Sequence, residues 1–229
     1  MKQFEANFGI ITEADFELIK TRKIIIIGLG GLGGMIANGL VRMGFHHLTL
    51  IDFDRFEESN LNRQLFSNFE TIGSYKVDVV KKELLKINPN AMIHLIKESV
   101  YDVNKDVFTD GDLIIDAVDK IQTKVYLEAL ASLLDCPLLH GAIGGWYGQI
   151  GIVLPKTYLL KALYHNNIKG LEDTLKNPAF TPGVIANMMV LECVKFFIKP
   201  EDALINQILS VDLLNHDYHV LIKRGDTNG

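Results

Sequence analysis

Residues 24 to 34 read IIIIGLGGLGG. Four β-branched residues run straight into a chain of glycines. A short apolar run ended by glycine predicts a parallel strand buried on both faces. The glycines follow the spacing Gly28-x-Gly30-x-x-Gly33. Gly28 permits a tight turn, Gly30 lets the backbone approach a phosphate, and Gly33 lets the next helix pack close to its strand. That helix N-terminus offers unpaired N–H groups and a positive dipole end. Asp52 closes the following strand, 19 residues after Gly33, where a carboxylate suits ribose hydroxyls. The loop therefore predicts a nucleotide, and leaves the diphosphate of NAD and the triphosphate of ATP both open.

Outward from this loop, strand and helix alternate. KIIIIG is a strand, and GLGGMIANGLVRMG is a helix stopped by Gly44. HHLTLID is a strand. IGSYKVDVVKKELLKIN is an amphipathic helix with Val77, Val80, Leu84 and Ile87 on one face, ended by Asn88-Pro89. MIHLIK, DLIIDAV and CPLLHGAI are further strands, and KIQTKVYLEALASLLD is a helix between the last two. This order predicts an α/β fold: a Rossmann-like, doubly wound, mostly parallel sheet. WYGQIGIVLP and the hairpin QILSVDLLNHDYHVLIKR add antiparallel C-terminal strands. TPGVIANMMVLECVKFFI is a helix with Thr181 as its cap and Pro182 in its first turn. One domain over 1–229 is expected. It divides into an N-terminal extension (1–22), a nucleotide-binding part (23–154), an irregular crossover loop or lid (155–181), and a C-terminal helix and hairpin (182–229).

Bulk properties narrow the function. The 229 residues are 48% hydrophobic, enough for a proper core, with a net charge of −5. Bulk attraction to nucleic acid or an anionic membrane is not indicated. No apolar run is expected to reach the ~20 residues that span a bilayer, and the first residues show no signal-peptide core. Cys136 and Cys193 are the only cysteines. They indicate a reducing compartment, with the cytosol expected. Without a C-x-x-C pair, a four-cysteine zinc site is excluded.

Residues 50–76, LIDFDRFEESNLNRQLFSNFETIGSYK, favour ATP. A dinucleotide site needs one acid at this strand end. Here Asp52 and Asp54 are followed by Asn60, Asn62, Arg63, Gln64 and Lys76. Cations aimed at a reacting α-phosphate and a leaving pyrophosphate stabilise developing charge. A lysine at a helix start is disfavoured by the helix dipole unless an anion sits nearby. Asp116 and Asp119 stand at the carboxyl end of the fourth strand, where α/β sheets bind ligands. Asp119 is a candidate Mg²⁺ ligand or a helix cap.

These pieces, GLGGLGG, LTLIDFD, SNLNRQ, GSYK, NP and DAVDK, resemble the ThiF/MoeB/HesA family, the bacterial relatives of ubiquitin-activating enzymes. The resemblance runs over nearly the whole chain. It implies an ATP- and Mg²⁺-dependent adenylyltransferase that activates the C-terminal glycine of a small ubiquitin-like sulfur carrier protein ending in Gly-Gly. It implies that Gly30 and Gly31 hold the phosphates, that Asp52 binds ribose, that Asn60, Arg63, Gln64 and Lys76 bind phosphates, and that Gly28, Gly33 and Asp54 belong to the same ATP site. Arg63, Lys76 and Asp119 would be catalytic, with Asp119 on Mg²⁺. A homodimer is implied as well, and the composition adds the expectation of a cytoplasmic protein without membrane or nucleic-acid partners.

Some features depart from the family pattern. The family's zinc cysteines are absent, which points to a zinc-free short branch. No cysteine lies in 155–181, so a covalent thioester step is not expected. Asn7 stands where an arginine is common, Lys120 where asparagine is common, and Lys124 where arginine is common. The DA-x-D…K form is also similar to the tRNA threonylcarbamoyladenosine dehydratase branch, which activates another carboxylate. Gly144, Gly145 and Trp146 either line a channel for an extended tail or form a sheet bend around a core aromatic. His140 reads as a satisfied strand-end histidine. An NAD(P)-dependent dehydrogenase and a non-catalytic scaffold are the remaining alternatives.

Overall fold

The computed structural model describes residues 2–165 and 175–222. Its elements are α1 (Glu13–Thr21), β1 (Lys23–Ile27), α2 (Gly33–Met43), β2 (His47–Ile51), α3 (Lys76–Ile87), β3 (Met92–Ile96), β4 (Leu113–Asp116), α4 (Ile121–Leu133), β5 (Leu138–Gly144), β6 (Tyr147–Val153), α5 (Leu159–Leu163), α6 (Phe180–Ile198), β7 (Ile208–Asp212) and β8 (Asp217–Ile222). The strands form one sheet in the order β3-β2-β1-β4-β5-β6-β7-β8. β3, β2, β1, β4 and β5 run parallel, and β6, β7 and β8 extend the sheet antiparallel. The mixed α/β fold expected from the strand-helix alternation is the fold observed.

The isoleucine run explains why the sheet is covered twice. Ile24 and Ile26 enter the core beneath α1, α2, α3 and α6, while Ile25 and Ile27 enter the core beneath α4 and α5. Strand side chains alternate faces, so only an apolar run without alternation suits a centre strand. Burying each isoleucine contributes about 1.5–3 kcal/mol. On α3, Val77, Val80 and Leu84 are fully buried, and Ile87 is half-buried. Gly44 ends α2 as expected, donating its N–H to Leu40 O and Val41 O.

The N-terminal extension gains an element, and three expectations need correction. The N-terminal extension contains α1, whose Thr12 and Asp15 close a reciprocal capping box; Thr-Glu-Ala-Asp is the sequence signature of such a start. The segment 155–181 is not irregular throughout, because it holds α5, and residues 166–174 lie outside the described residues. α6 begins at Phe180, so Thr181 lies inside the helix rather than capping it; its hydroxyl donates to Gly145 O. α6 is also long and apolar enough to cross a membrane by length and composition. Half of that stretch is buried inside the fold. Ile185, Met189 and Cys193 are fully buried in the core with Leu139, Ile143 and Ile150 of β5 and β6, so α6 is a core helix.

Candidate active site

α2 follows β1 onto one face of the sheet, and α4 follows the adjacent β4 onto the other. A crevice opens at the carboxyl ends of two neighbouring strands when their connections diverge in this way. The glycine loop lies at this crevice. A Cβ on Gly28 would stand 2.7 Å from Ala117 O, and one on Gly33 would stand 1.8 Å from Gly28 O. Only glycine allows that packing. Ala117 N–H donates to Ile27 O at 3.0 Å, so the turn after β4 is fastened to the end of β1. The N–H groups of Gly30, Gly31 and Leu32 reach no acceptor among the described residues. They are free donors at a helix N-terminus, the arrangement that receives anions.

The acidic residue after β2 braces this loop. Asp52 Oδ2 accepts the Leu29 N–H at 2.6 Å, and Oδ1 accepts the Asp54 N–H at 2.7 Å. Burial raises the Asp52 carboxyl above its ordinary value, against the pull of the Lys76 ammonium. Lys76 is the first residue of α3 and only 6% exposed. Its Nζ pairs with Asp54 Oδ2 at 3.0 Å. Lys76 is thus a buried cation held at the site edge, not a solvated surface lysine.

The segment between β2 and α3 folds back over the glycines. Asn60 is buried; its Oδ1 accepts the Glu57 N–H and its Nδ2 donates to Ser59 Oγ. These bonds shape the short helical turn Glu58–Asn60, which leads into Arg63 and Gln64. Arg63 Cγ lies 3.9 Å from the place of a Cβ on Gly31, and Pro182 of α6 lies on the same glycine at 3.3 Å. Arg63 donates only to Ser59 O and Asn62 Oδ1 among the described residues. Gln64 Nε2 stands 3.7 Å from the place of a Cβ on Gly30. Gln64 is buried, yet its Oε1 has no partner. A buried polar atom left unpaired is costly, and the Nε2 of the same amide lies against Gly30. Asn62 Nδ2 donates to Asn177 O, joining this segment to the chain just before α6.

Asp119 follows the turn after β4, exposed and without a partner among the described residues. It does not cap α4; the capping position is Lys120, without a side-chain bond. No cluster of three or more His, Cys, Asp or Glu that could hold a metal occurs among the described residues. Mg²⁺ bound to phosphates needs no such cluster, because one carboxylate with phosphate and water oxygens completes its shell. Asp119 fits that role.

Sequence reasoning missed a buried polar network behind this turn. Asp116 and His140 are completely buried and Lys124 is 2% exposed. Lys124 Nζ donates to Asp116 Oδ1 at 3.4 Å, to Gly141 O at 2.7 Å and to Val118 O. His140 Nδ1 meets Asp116 Oδ2 at 2.8 Å, and its Nε2 meets the Tyr164 hydroxyl at 3.2 Å. Tyr164 also donates to Gln149 Oε1. Burial alone would raise Asp116, but the Lys124 ammonium and the His140 bond hold its carboxyl below the ordinary carboxylate range. Burial pushes the His140 imidazole below its ordinary value. His140 is satisfied, as expected, but sits inside β5 rather than at its end. The available signal was a lysine at an otherwise buried position of α4.

Gly144 ends β5, and Gly145 and Trp146 form the two-residue turn to β6. Gly145 has φ +59°, the left-handed conformation required at the first position of such a turn. Trp146 is 45% exposed and stacks on Phe180, with ring centroids 4.6 Å apart. It is not a core aromatic. Leu175 packs on Gly145. Asn7 donates to Arg42 O, at the end of α2 opposite the glycine loop. A separate cleft of about 430 Å³ lies between Lys23, His47, Met92 and Gly111 at the amino ends of the strands, away from all these groups.

A glycine loop at a sheet switch point, with an acid on the neighbouring strand, defines the class of Rossmann-type nucleotide-binding proteins. Within that class the chain belongs to the ThiF family, which matches residues 4–228. It is similar to a molybdopterin-synthase adenylyltransferase from Haemophilus influenzae, 29% identical over 89% of this chain and 87% of that protein. It is also similar to a tRNA threonylcarbamoyladenosine dehydratase from Bacillus subtilis, 32% identical over 61% of this chain and 56% of that protein. A crystal structure of E. coli MccB with ATP shares the fold, with TM-score 0.75 and 19% identity over 93% of this chain and 67% of that one. Other relatives are much longer: the chain spans 22% of a SUMO-activating enzyme subunit 2 from Dictyostelium discoideum.

Proposed function

We propose that this chain is an ATP- and Mg²⁺-dependent adenylyltransferase. Its substrate is the C-terminal glycine carboxylate of a small ubiquitin-like sulfur carrier protein of the ThiS or MoaD kind. The observation that carries the reading is the convergence on the glycine loop of free N–H donors, the Gln64 amide, the Arg63 side chain and the Asp119 turn. Relatives named molybdopterin-synthase adenylyltransferase support it, as does the shared fold of MccB with ATP. A dehydrogenase would leave this polar cover over the loop without a role.

The carboxylate is already the nucleophile near neutral pH. It attacks the α-phosphorus, an acyl–O–P bond forms, and the bond to the leaving pyrophosphate breaks. The N–H groups of the glycine loop bind phosphate oxygens, Arg63 and Lys76 offset the growing charge, and Asp52 orients the ribose. Asp119 would hold Mg²⁺, which neutralises phosphate charge. Positioning and charge stabilisation supply the rate. The tail would enter beside Gly144, Gly145 and Trp146. Both cysteines of the chain are buried, with the Cys136 thiol pushed up to about 11 and Cys193 raised further by burial. The acyl group therefore leaves to an external nucleophile. A homodimer is part of the proposal, with the exposed Val184 and Leu191 on α6 as apolar surface for it.

Pyrophosphate exchange into ATP tests this reading. Exchange should require a Gly-Gly carrier and fall about 100-fold or more in Arg63→Ala and Asp119→Ala. Exchange driven instead by a modified tRNA would transfer the chemistry to that carboxylate. ATP binding without exchange for any carboxylate would leave a scaffold.

A further inference from the structure

Lys124 is an expensive residue to bury. Taking an ammonium and a carboxylate out of water costs several kcal/mol per ion, and a well-packed apolar side chain would fill the same space. What the ammonium supplies is geometry. Its three N–H donors meet three acceptors: Asp116 Oδ1 at the end of β4, Gly141 O in β5, and Val118 O in the turn between β4 and α4. All its donors are used and the side chain is buried, so Lys124 does not itself touch a substrate. Val118 is the residue before Asp119. The same turn is fixed on its other sides, because Val118 N–H donates to Asp116 Oδ1 and Ala117 N–H donates to Ile27 O. His140 holds the second Asp116 oxygen at 2.8 Å, so the carboxylate cannot swing away from Lys124.

We infer that Lys124 is a positioning residue. Through Asp116 and the Val118 carbonyl it locks the turn carrying Asp119 against the glycine loop, and so fixes the carboxylate that meets Mg²⁺ and ATP. The inference rests on the adenylation reading for its kinetic consequence and on the hydrogen bonds alone for its structural one. Small displacements of a catalytic group cost rate more than binding.

Lys124→Met removes the donors and keeps most of the stem. In the folded variant, kcat for pyrophosphate exchange should fall about tenfold or more, while KM for ATP changes less than about threefold. The Mg²⁺ concentration for half-maximal exchange should rise. Without any ATP present, the amides of Val118, Asp119 and Lys120 should exchange with deuterium about tenfold faster, with the α2 core unchanged. Should Lys124→Met not fold, Lys124→Gln keeps two donors and should show the same pattern at reduced size. Unchanged kcat, Mg²⁺ requirement and amide protection in either folded variant overturn the positioning role. If the unsubstituted protein itself shows no exchange, the adenylation reading fails, and amide exchange alone decides the role of Lys124.

Discussion

At the scale of single residues, the site is governed by what does not fit. A methyl group on Gly33 would collide with Gly28 O at 1.8 Å, with backbone that cannot yield cheaply. Gly33→Ala should therefore cost about 1–3 kcal/mol of stability and abolish measurable ATP binding in titration calorimetry. ATP binding equal to the unsubstituted protein would show that the loop is not the phosphate cradle. The glycines and Asp52 were legible in the sequence because their spacing reports a backbone requirement. The pairing of Lys76 with Asp54 and the burial of the Gln64 amide against Gly30 were not, because they depend on how residues 55–75 fold back over the loop. Lys124 was legible only as a residue at an unusual position. Its three acceptors come from three elements that only the folded sheet brings together.

At the scale of elements, periodicity and glycine punctuation were sufficient wherever packing and local signals agree. The alternation of isoleucines between two cores made β1 legible, and Gly44 marked the end of α2. The errors fell where a side chain answers to a distant partner. Thr181 looks like a cap in isolation, but its hydroxyl donates to Gly145 O in the turn between β5 and β6. α5 was invisible in a polar stretch because its first N–H groups are satisfied from α4. Glu128 accepts from Leu160 N–H at 2.6 Å and Lys161 N–H at 2.9 Å. Glu128→Ala should unfold α5 locally, seen as proteolytic cleavage near residues 159–163 that the unsubstituted protein resists. Equal resistance would show that α5 stands without its cap. Thr12→Ala should cost about 1 kcal/mol through the lost capping box, read as a lower urea midpoint.

At the scale of the whole molecule, two faces of one sheet meet at the site, and the buried Asp116–His140 pair ties them to acid stability. The folded His140 value is depressed, so the unfolded chain binds the proton more readily. Its contribution to stability is present above about 6.5, the ordinary imidazole value. It is lost as pH falls from there through the folded value. Asp116 adds a second loss at lower pH, as pH falls through its depressed folded value. Urea midpoints should therefore fall between pH 7 and pH 5, and His140→Gln should flatten that fall. Parallel curves for the two proteins would remove His140 from the account. The central claim is chemical, and one label tests it: a carrier synthesised with ¹⁸O in its C-terminal carboxylate, incubated with ATP and Mg²⁺, with hydroxylamine to trap the acyl group. Attack of that carboxylate on the α-phosphorus places ¹⁸O in the released AMP, which is the predicted result. Release of ADP, or of AMP without label, would contradict it.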